Sequence, residues 1–268
     1  MRGSLISAPF LGYLLKLQAK IRVANVIMTE QPLTKEGNAE MSQKLCANQS
    51  VVNLCDITAQ LKPAARLLPQ QQLFDQFVKE NQFDLQTPIV FFDEHIHFAA
   101  RAWFTFRYFG FKNVFVLDGG YSKWKNHQPA EFQEHNIQDQ PRFQGRIVST
   151  SEVSRISQLK HSNDPNGEEW AIVDTRDSNR FKKGSIPGSI NIEFSEYLNR
   201  DKTMKSDEDL RQVYQKNGID LNKTRIINTC QTGKLACIAT IAQEILKTKQ
   251  QILYDGSWED WKLENHKK

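Results

Sequence analysis

Apolar residues along this chain fall into short continuous runs that alternate with longer stretches where they recur every three or four positions. That alternation of buried strand and amphipathic helix is how a parallel α/β layer is written. Ile89 to Phe92 and Val114 to Leu117 are unbroken apolar runs, as strands covered on both faces require, and Phe98 to Tyr108 between them predicts an aromatic-rich helix. Trp170 to Asp174 and Arg225 to Thr229 predict two further buried strands, the second carrying the β-branched Ile226 and Ile227. After it, Ala236, Ile238, Ala239, Ile241, Ala242, Ile245 and Leu246 recur with helical spacing. Ser149 or Thr150 followed by Glu152 marks a helix start, and Leu210 to Gly218 predicts a helix with Gly218 at its C-cap. Near the amino end, Leu5 to Leu15 predicts an opening helix and Ile21 to Val26 the first strand.

The pattern repeats. Asp93 closes one strand as Cys230 closes another, 137 positions later (230 less 93), and the same offset carries Ala99 to Ala236, Asp118 and Gly119 to Asp255 and Gly256, and Trp124 to Trp261. Matches held in one register across that distance point to two copies of one domain. The boundaries expected are residues 1–135 for the first copy, a linker at 136–146 containing Pro141 and Gly145, and 147–268 for the second. Residues 161–167 predict a turn-rich surface insert.

Cys230 sits where a buried strand gives way to a helix, at the sheet edge where ligands of α/β proteins bind. Backbone N–H groups of the loop and the helix start stabilise a thiolate or any anion held there, so Gln231, Thr232, Gly233, Lys234 and Leu235 are the expected anion cradle. Gly233 supplies backbone angles that a curled loop needs. Cys237 is read as a small buried side chain rather than a resolving thiol, and Trp103, Phe104 and Phe106 as core rather than a ligand box.

The Cys230 to Leu235 loop, the run Tyr254-Asp-Gly-Ser-Trp258 with Trp261, and Asp174 with Arg176 followed by Gly184, Ile186, Pro187, Gly188 and Asn191 together resemble the rhodanese sulfurtransferases. The order of the motifs is similar to that of the two-domain thiosulfate and 3-mercaptopyruvate sulfurtransferases, with Ser185 in place of the usual histidine. The likeness is close over the second copy and loose over the first, where Asn25 replaces the strand-closing aspartate and residues 48–51 replace a His-Ile-Pro-Gly motif. It implies an α/β fold of two rhodanese-like domains, each a mainly parallel central sheet flanked by helices, the first copy noncatalytic. It implies an enzyme that moves sulfane sulfur from a small anionic donor, thiosulfate or 3-mercaptopyruvate, to cyanide or a thiol acceptor, a small thiol or a thioredoxin-like protein. Cys230 carries the sulfur as a persulfide, with no cofactor and no metal. Lys234 favours thiosulfate and the hydroxyl of Thr232 favours mercaptopyruvate. Arg66 stands where the mercaptopyruvate branch has a histidine, and Thr58 where it has an acid, so a proton relay is not expected. Arg66 and Arg180 are candidate anion-binding cations, while Asp174 and Arg176 read as a structural pair supporting the loop.

Size and charge narrow the alternatives. At 268 residues the chain has room for two cores, and lysine plus arginine exceeds aspartate plus glutamate by only four, without a basic block for nucleic acid. No apolar run is long enough to span a bilayer. The four cysteines, Cys46, Cys55, Cys230 and Cys237, have neither zinc nor Cys-x-x-Cys spacing, and His95 and His97 read as a loop pair. A reduced intracellular setting follows, mitochondrion or cytoplasm; the acid-free, basic first 29 residues read as a presequence or as the opening elements of the fold. A Cys-x5-Arg phosphatase is excluded by Ala236 at the arginine's place. A catalytically weak rhodanese-like binding or regulatory module is the remaining alternative.

Overall fold

The computed structural model describes residues 2–29, 45–46, 49–58, 67–130, 132, 137, 140, 143–159 and 169–265. The linker lies partly outside these residues, and the 161–167 insert, Arg66 and position 48 wholly so. The chain divides into two compact units. One takes Met1–Thr58, Pro69–Phe143 and Arg200–Thr203; the other takes Ala59–Leu68, Gln144–Asn199 and Met204–Lys268.

In the first unit the elements are β1 (Leu5–Ile6), α1 (Ala8–Lys16), β2 (Arg22–Ile27), β3 (Ser50–Asn53), α2 (Gln71–Glu80), β4 (Ile89–Phe92), α3 (His97–Tyr108), β5 (Val114–Leu117) and α4 (Gly120–Trp124). The five strands are parallel in the order β1-β5-β4-β2-β3. Leu5 and Ile6, expected in the opening helix, instead pair with Val116 and Leu117. Two residues carry no periodicity of their own, so only the sheet reveals them as a strand. The helix starts after Ser7, whose side chain accepts the Phe10 N–H, with Pro9 in its first turn.

Trp103, Phe104 and Phe106 are fully buried, which makes this stretch core. The Phe106 ring meets Phe74, Phe83, Phe91 and Phe111 edge-on at 4.9 to 5.1 Å between centroids. Each buried ring contributes roughly 1.5–3 kcal/mol through area removed from water.

The second unit repeats the plan with β6 (Gly145–Ile147), α5 (Thr150–Gln158), β7 (Glu169–Asp174), α6 (Ser178–Lys182), β8 (Ile190–Asn191), α7 (Asp207–Gln215), β9 (Thr224–Thr229), α8 (Ala236–Ile245), β10 (Gln251–Leu253) and α9 (Ser257–Asn265). Its parallel order, β6-β10-β9-β7-β8, is the first sheet's order with each strand replaced by its counterpart. β6 takes in Gly145 and Arg146, which the sequence reading leaves in the linker. Ser149 caps α5 through the Glu152 N–H, and α7 ends at Gln215, so Gly218 lies two residues beyond the Lys216 cap with φ +73°.

Candidate active site

Strand β9, central in its sheet, delivers Cys230 to the carboxyl edge. Two residues earlier the buried Asn228 side chain exchanges hydrogen bonds with Gln243 on α8, at 3.0 and 3.1 Å, and donates to the Ile252 carbonyl at 3.1 Å. These bonds tie the strand before the cysteine to the helix after it and to its neighbour β10. The intervening loop curls at Gly233, φ +78°.

The loop is held from outside by the start of α9. Ser257 Oγ accepts the Cys230 N–H at 3.1 Å and donates to the Tyr254 carbonyl at 2.9 Å. The Trp258 N–H donates to the Cys230 carbonyl at 3.0 Å, and the Glu259 N–H to the Gln231 carbonyl at 3.1 Å. Ser257 is fully buried with φ +53°, a left-handed conformation in which a non-glycine residue is strained. The Tyr-Asp-Gly-Ser-Trp run is therefore the clamp on the cysteine's backbone. Replacing Ser257 with alanine keeps the strain and removes the acceptor of a buried N–H; the expected result is a stability loss of about 1–3 kcal/mol by urea unfolding.

Beside the loop, Arg176 and Asp174 are 2% and 1% exposed. Arg176 Nε lies 3.0 Å from both Asp174 oxygens and Nη2 2.6 Å from Oδ2, while Nη2 also donates to the Gly184 carbonyl at 2.8 Å. The Asn191 amide bridges the carbonyls of Asp174 and Arg176 at 2.9 and 2.8 Å. The guanidinium lies 4.9 Å from the ring centre of Trp258, and a Cβ on Gly184 would stand 2.9 Å from that ring. Buried Asp174 and Arg176 with half-buried Gly184, Asn191 and Trp258 thus form one assembly, continuous with the clamp.

The first unit builds the same clamp 137 positions earlier. The Tyr121 N–H donates to the Asp93 carbonyl at 2.8 Å and the Ser122 N–H to the Glu94 carbonyl at 3.1 Å, with Gly120 (φ +62°) in the place of Ser257. A Cβ on Gly120 would collide with the His95 carbonyl oxygen. Asn25 pairs with Phe92 as Asp174 pairs with Thr229, so a neutral amide stands where the second copy has its buried carboxylate.

What differs is the side chain that closes the strand. Asp93, 5% exposed, accepts the His95 N–H at 2.8 Å through Oδ1. Its Oδ2 accepts the Phe98 N–H in a short bond and the Ala99 N–H at 3.2 Å. Burial pushes this carboxyl above its ordinary value against the pull of the three N–H groups. All three partners are donors, and a carboxyl proton would find no acceptor among them, so the geometry holds the ionised form. The offset carries His95, Phe98 and Ala99 to Thr232, Leu235 and Ala236, whose N–H groups have no acceptor among the described residues.

Cys230 itself is 1% exposed, so the thiol is buried rather than open at the mouth of the loop, while Gln231, Thr232, Lys234 and Leu235 after it are half-buried. The Gln231 amide donates to Glu259 in a short bond, and Lys262 pairs with Glu259 at 3.0 Å. Cys237 is fully buried, its thiol donating to the Gly233 carbonyl at 3.3 Å. Arg180 pairs with its neighbour Asp177 at 3.3 Å with 63% of its side chain exposed, and has no hydrogen bond or ion pair to residues 230–236. Sequence reasoning quotes Ser257 within its motif without giving it a role, and misses Asn228 and Gln243, for which a polar residue inside an otherwise apolar element is the available signal.

The two units thus repeat one plan, with Asp93 closing the strand in the first and Cys230 in the second. The rhodanese-like domain family matches the chain at residues 30–127 and again at 157–264, and the chain belongs to that family. It is 25% identical over 245 residues to thiosulfate sulfurtransferase of Gallus gallus, covering 86% of this chain and 82% of that protein. It is 24% identical over 243 residues to 3-mercaptopyruvate sulfurtransferase of Homo sapiens, covering 85% and 80%. The crystal structure of SseA from Escherichia coli, described as a 3-mercaptopyruvate sulfotransferase with the rhodanese fold, superposes with a TM-score of 0.73 at 22% identity, over 96% of this chain and 99% of that one. The chain is accordingly an enzyme of the sulfurtransferase class. Among the described residues no helix is long and apolar enough to cross a membrane.

Proposed function

We propose that the chain moves sulfane sulfur from 3-mercaptopyruvate or thiosulfate to cyanide or a thiol, a small one or a thioredoxin-like protein, through a persulfide on Cys230. The observation that carries this reading is the comparison of the two cradles. Three N–H groups surround a carboxylate in the first copy, and the 137-residue offset carries them to Thr232, Leu235 and Ala236 in the loop and helix start after Cys230, where none of the three has an acceptor among the described residues. A persulfide anion is the group a cysteine there acquires and an oxygen acid does not.

The Cys230 thiolate attacks the outer sulfur of the donor. A sulfur–sulfur bond forms, and the donor's own bond to that sulfur breaks with its electron pair leaving on sulfite or on the enolate of pyruvate. The terminal sulfur carries the charge and takes the three N–H groups as an oxyanion would. The acceptor then attacks that sulfur and the Cys230 thiolate leaves. Thr232 and Lys234 line the path of the donor, the hydroxyl suited to mercaptopyruvate and the ammonium to thiosulfate. Arg180, and Arg66 outside the described residues, stay in the proposal as outer cations that draw the anion in.

The test is mass spectrometry of the intact chain after brief treatment with each donor. One added sulfur, located on the Cys230 peptide and removed by cyanide, is expected. Absence of the added sulfur with both donors would leave a rhodanese-like binding module. Comparing kcat/KM for the two donors ranks them.

A further inference from the structure

The first copy's cradle is complete, and its occupant is a side chain of the protein itself. Three observations converge on Asp93. Its carboxylate takes three backbone N–H groups, from His95 in the loop and from Phe98 and Ala99 in the first turn of α3. It is 5% exposed, and the carbonyls of Asp93 and Glu94 are held by the Tyr121 and Ser122 N–H groups, contacts that do not depend on the carboxylate. Among the described residues neither oxygen pairs with an arginine or lysine; the three main-chain donors and the nearby His95 are what favour its charged form.

We propose that Asp93 is a built-in ligand: the first copy retains an anion site of carboxylate size, permanently filled by its own side chain, which admits an external small anion once that side chain is removed. The inference rests on the reading of the cradle in the second copy, and it sets the number of sulfur-carrying sites per chain at one. A single atom type decides the matter. Oxygen fills the site and carries nothing away; sulfur at the same place is a nucleophile.

The chemistry names the external ligand. Removing the methylene and carboxylate of Asp93 leaves a space and a donor set that acetate matches. Asp93→Gly is expected to unfold at lower temperature than the parent. Acetate, added at constant ionic strength against chloride, should raise its melting temperature by about 4 °C per tenfold increase above the dissociation constant. The parent should show no such rise, and neither should Asp93→Asn, which keeps an amide in the space. An acetate response in Asp93→Gly no larger than the parent's overturns the proposal.

Should Asp93→Gly fail to fold, Asp93→Cys in a Cys230→Ser background provides the second measurement. Thiosulfate should then place one sulfur on the new thiol, its thiolate forming the sulfur–sulfur bond as sulfite departs with the electron pair. No added sulfur there, while the parent takes one on Cys230, overturns the retained site and leaves the proposed function standing. No added sulfur on either chain counts against the proposed function, and the same acetate titration on Asp93→Ala, which empties the space without freeing the backbone, then decides this one by itself.

Discussion

Cys230→Ser is expected to fold like the parent and to turn over neither thiosulfate nor mercaptopyruvate, with kcat/KM down by at least ~10⁴-fold. The loss is chemical. A serine hydroxyl is far less acidic than a thiol and cannot hold a second sulfur in a bond that an acceptor then breaks. The fold is spared because both main-chain groups of residue 230 are engaged by Ser257 and Trp258, independently of the side chain. The measurement is steady-state turnover beside a urea unfolding curve. Turnover within tenfold of the parent at unchanged stability would sink the persulfide mechanism.

The second large effect lies in the buried pair. Arg176→Met is expected to destabilise the second unit by about 3–5 kcal/mol, because it strands the Asp174 carboxylate, 1% exposed, without its cation. It also removes the bond to the Gly184 carbonyl and the cationic face against Trp258, which bears on the clamp. Replacing both partners, as Arg176→Met with Asp174→Leu, should recover part of the loss, since the stranded charge is then gone. Urea unfolding followed by tryptophan fluorescence reads both. A single variant as stable as the parent would show that the pair is dispensable, and a double variant no better than the single would place the cost in Arg176's other contacts.

Much of the fold is legible in the sequence where a strand is long enough to be apolar throughout. Ile89 to Phe92 and Val114 to Leu117 are read to the residue, and the helices His97–Tyr108 and Ala236–Ile245 to within one, while the short helix Gly120–Trp124 is read only as a turn. The two-residue strands at Leu5 and Ile190 are not, because their only signature is a partner far away in sequence. The site divides in the same way. Cys230 and its loop stand out, since a thiol after a buried strand and before a helix is chemically conspicuous. Ser257 does not, because its role depends on a left-handed backbone that a serine code conceals. The burial of the thiol is equally hidden, because spacing along the chain does not report what packs over a side chain.

One pair of contacts bears on how the halves diverged. Beside the first loop the acid is Glu94, taking the Ser122 hydroxyl at 2.9 Å and Lys125 at 3.4 Å. Beside the second, the acid has crossed to the helix as Glu259, met by Gln231 from the loop and by Lys262. The lysine is common to both, and the carboxylate has changed sides. A graft of either loop into the other half therefore brings two acids face to face or leaves the lysine with none. Chimeras of the two halves must exchange loop and helix start as one cassette, and drift along this lineage must have passed through a double or an empty acid on its way.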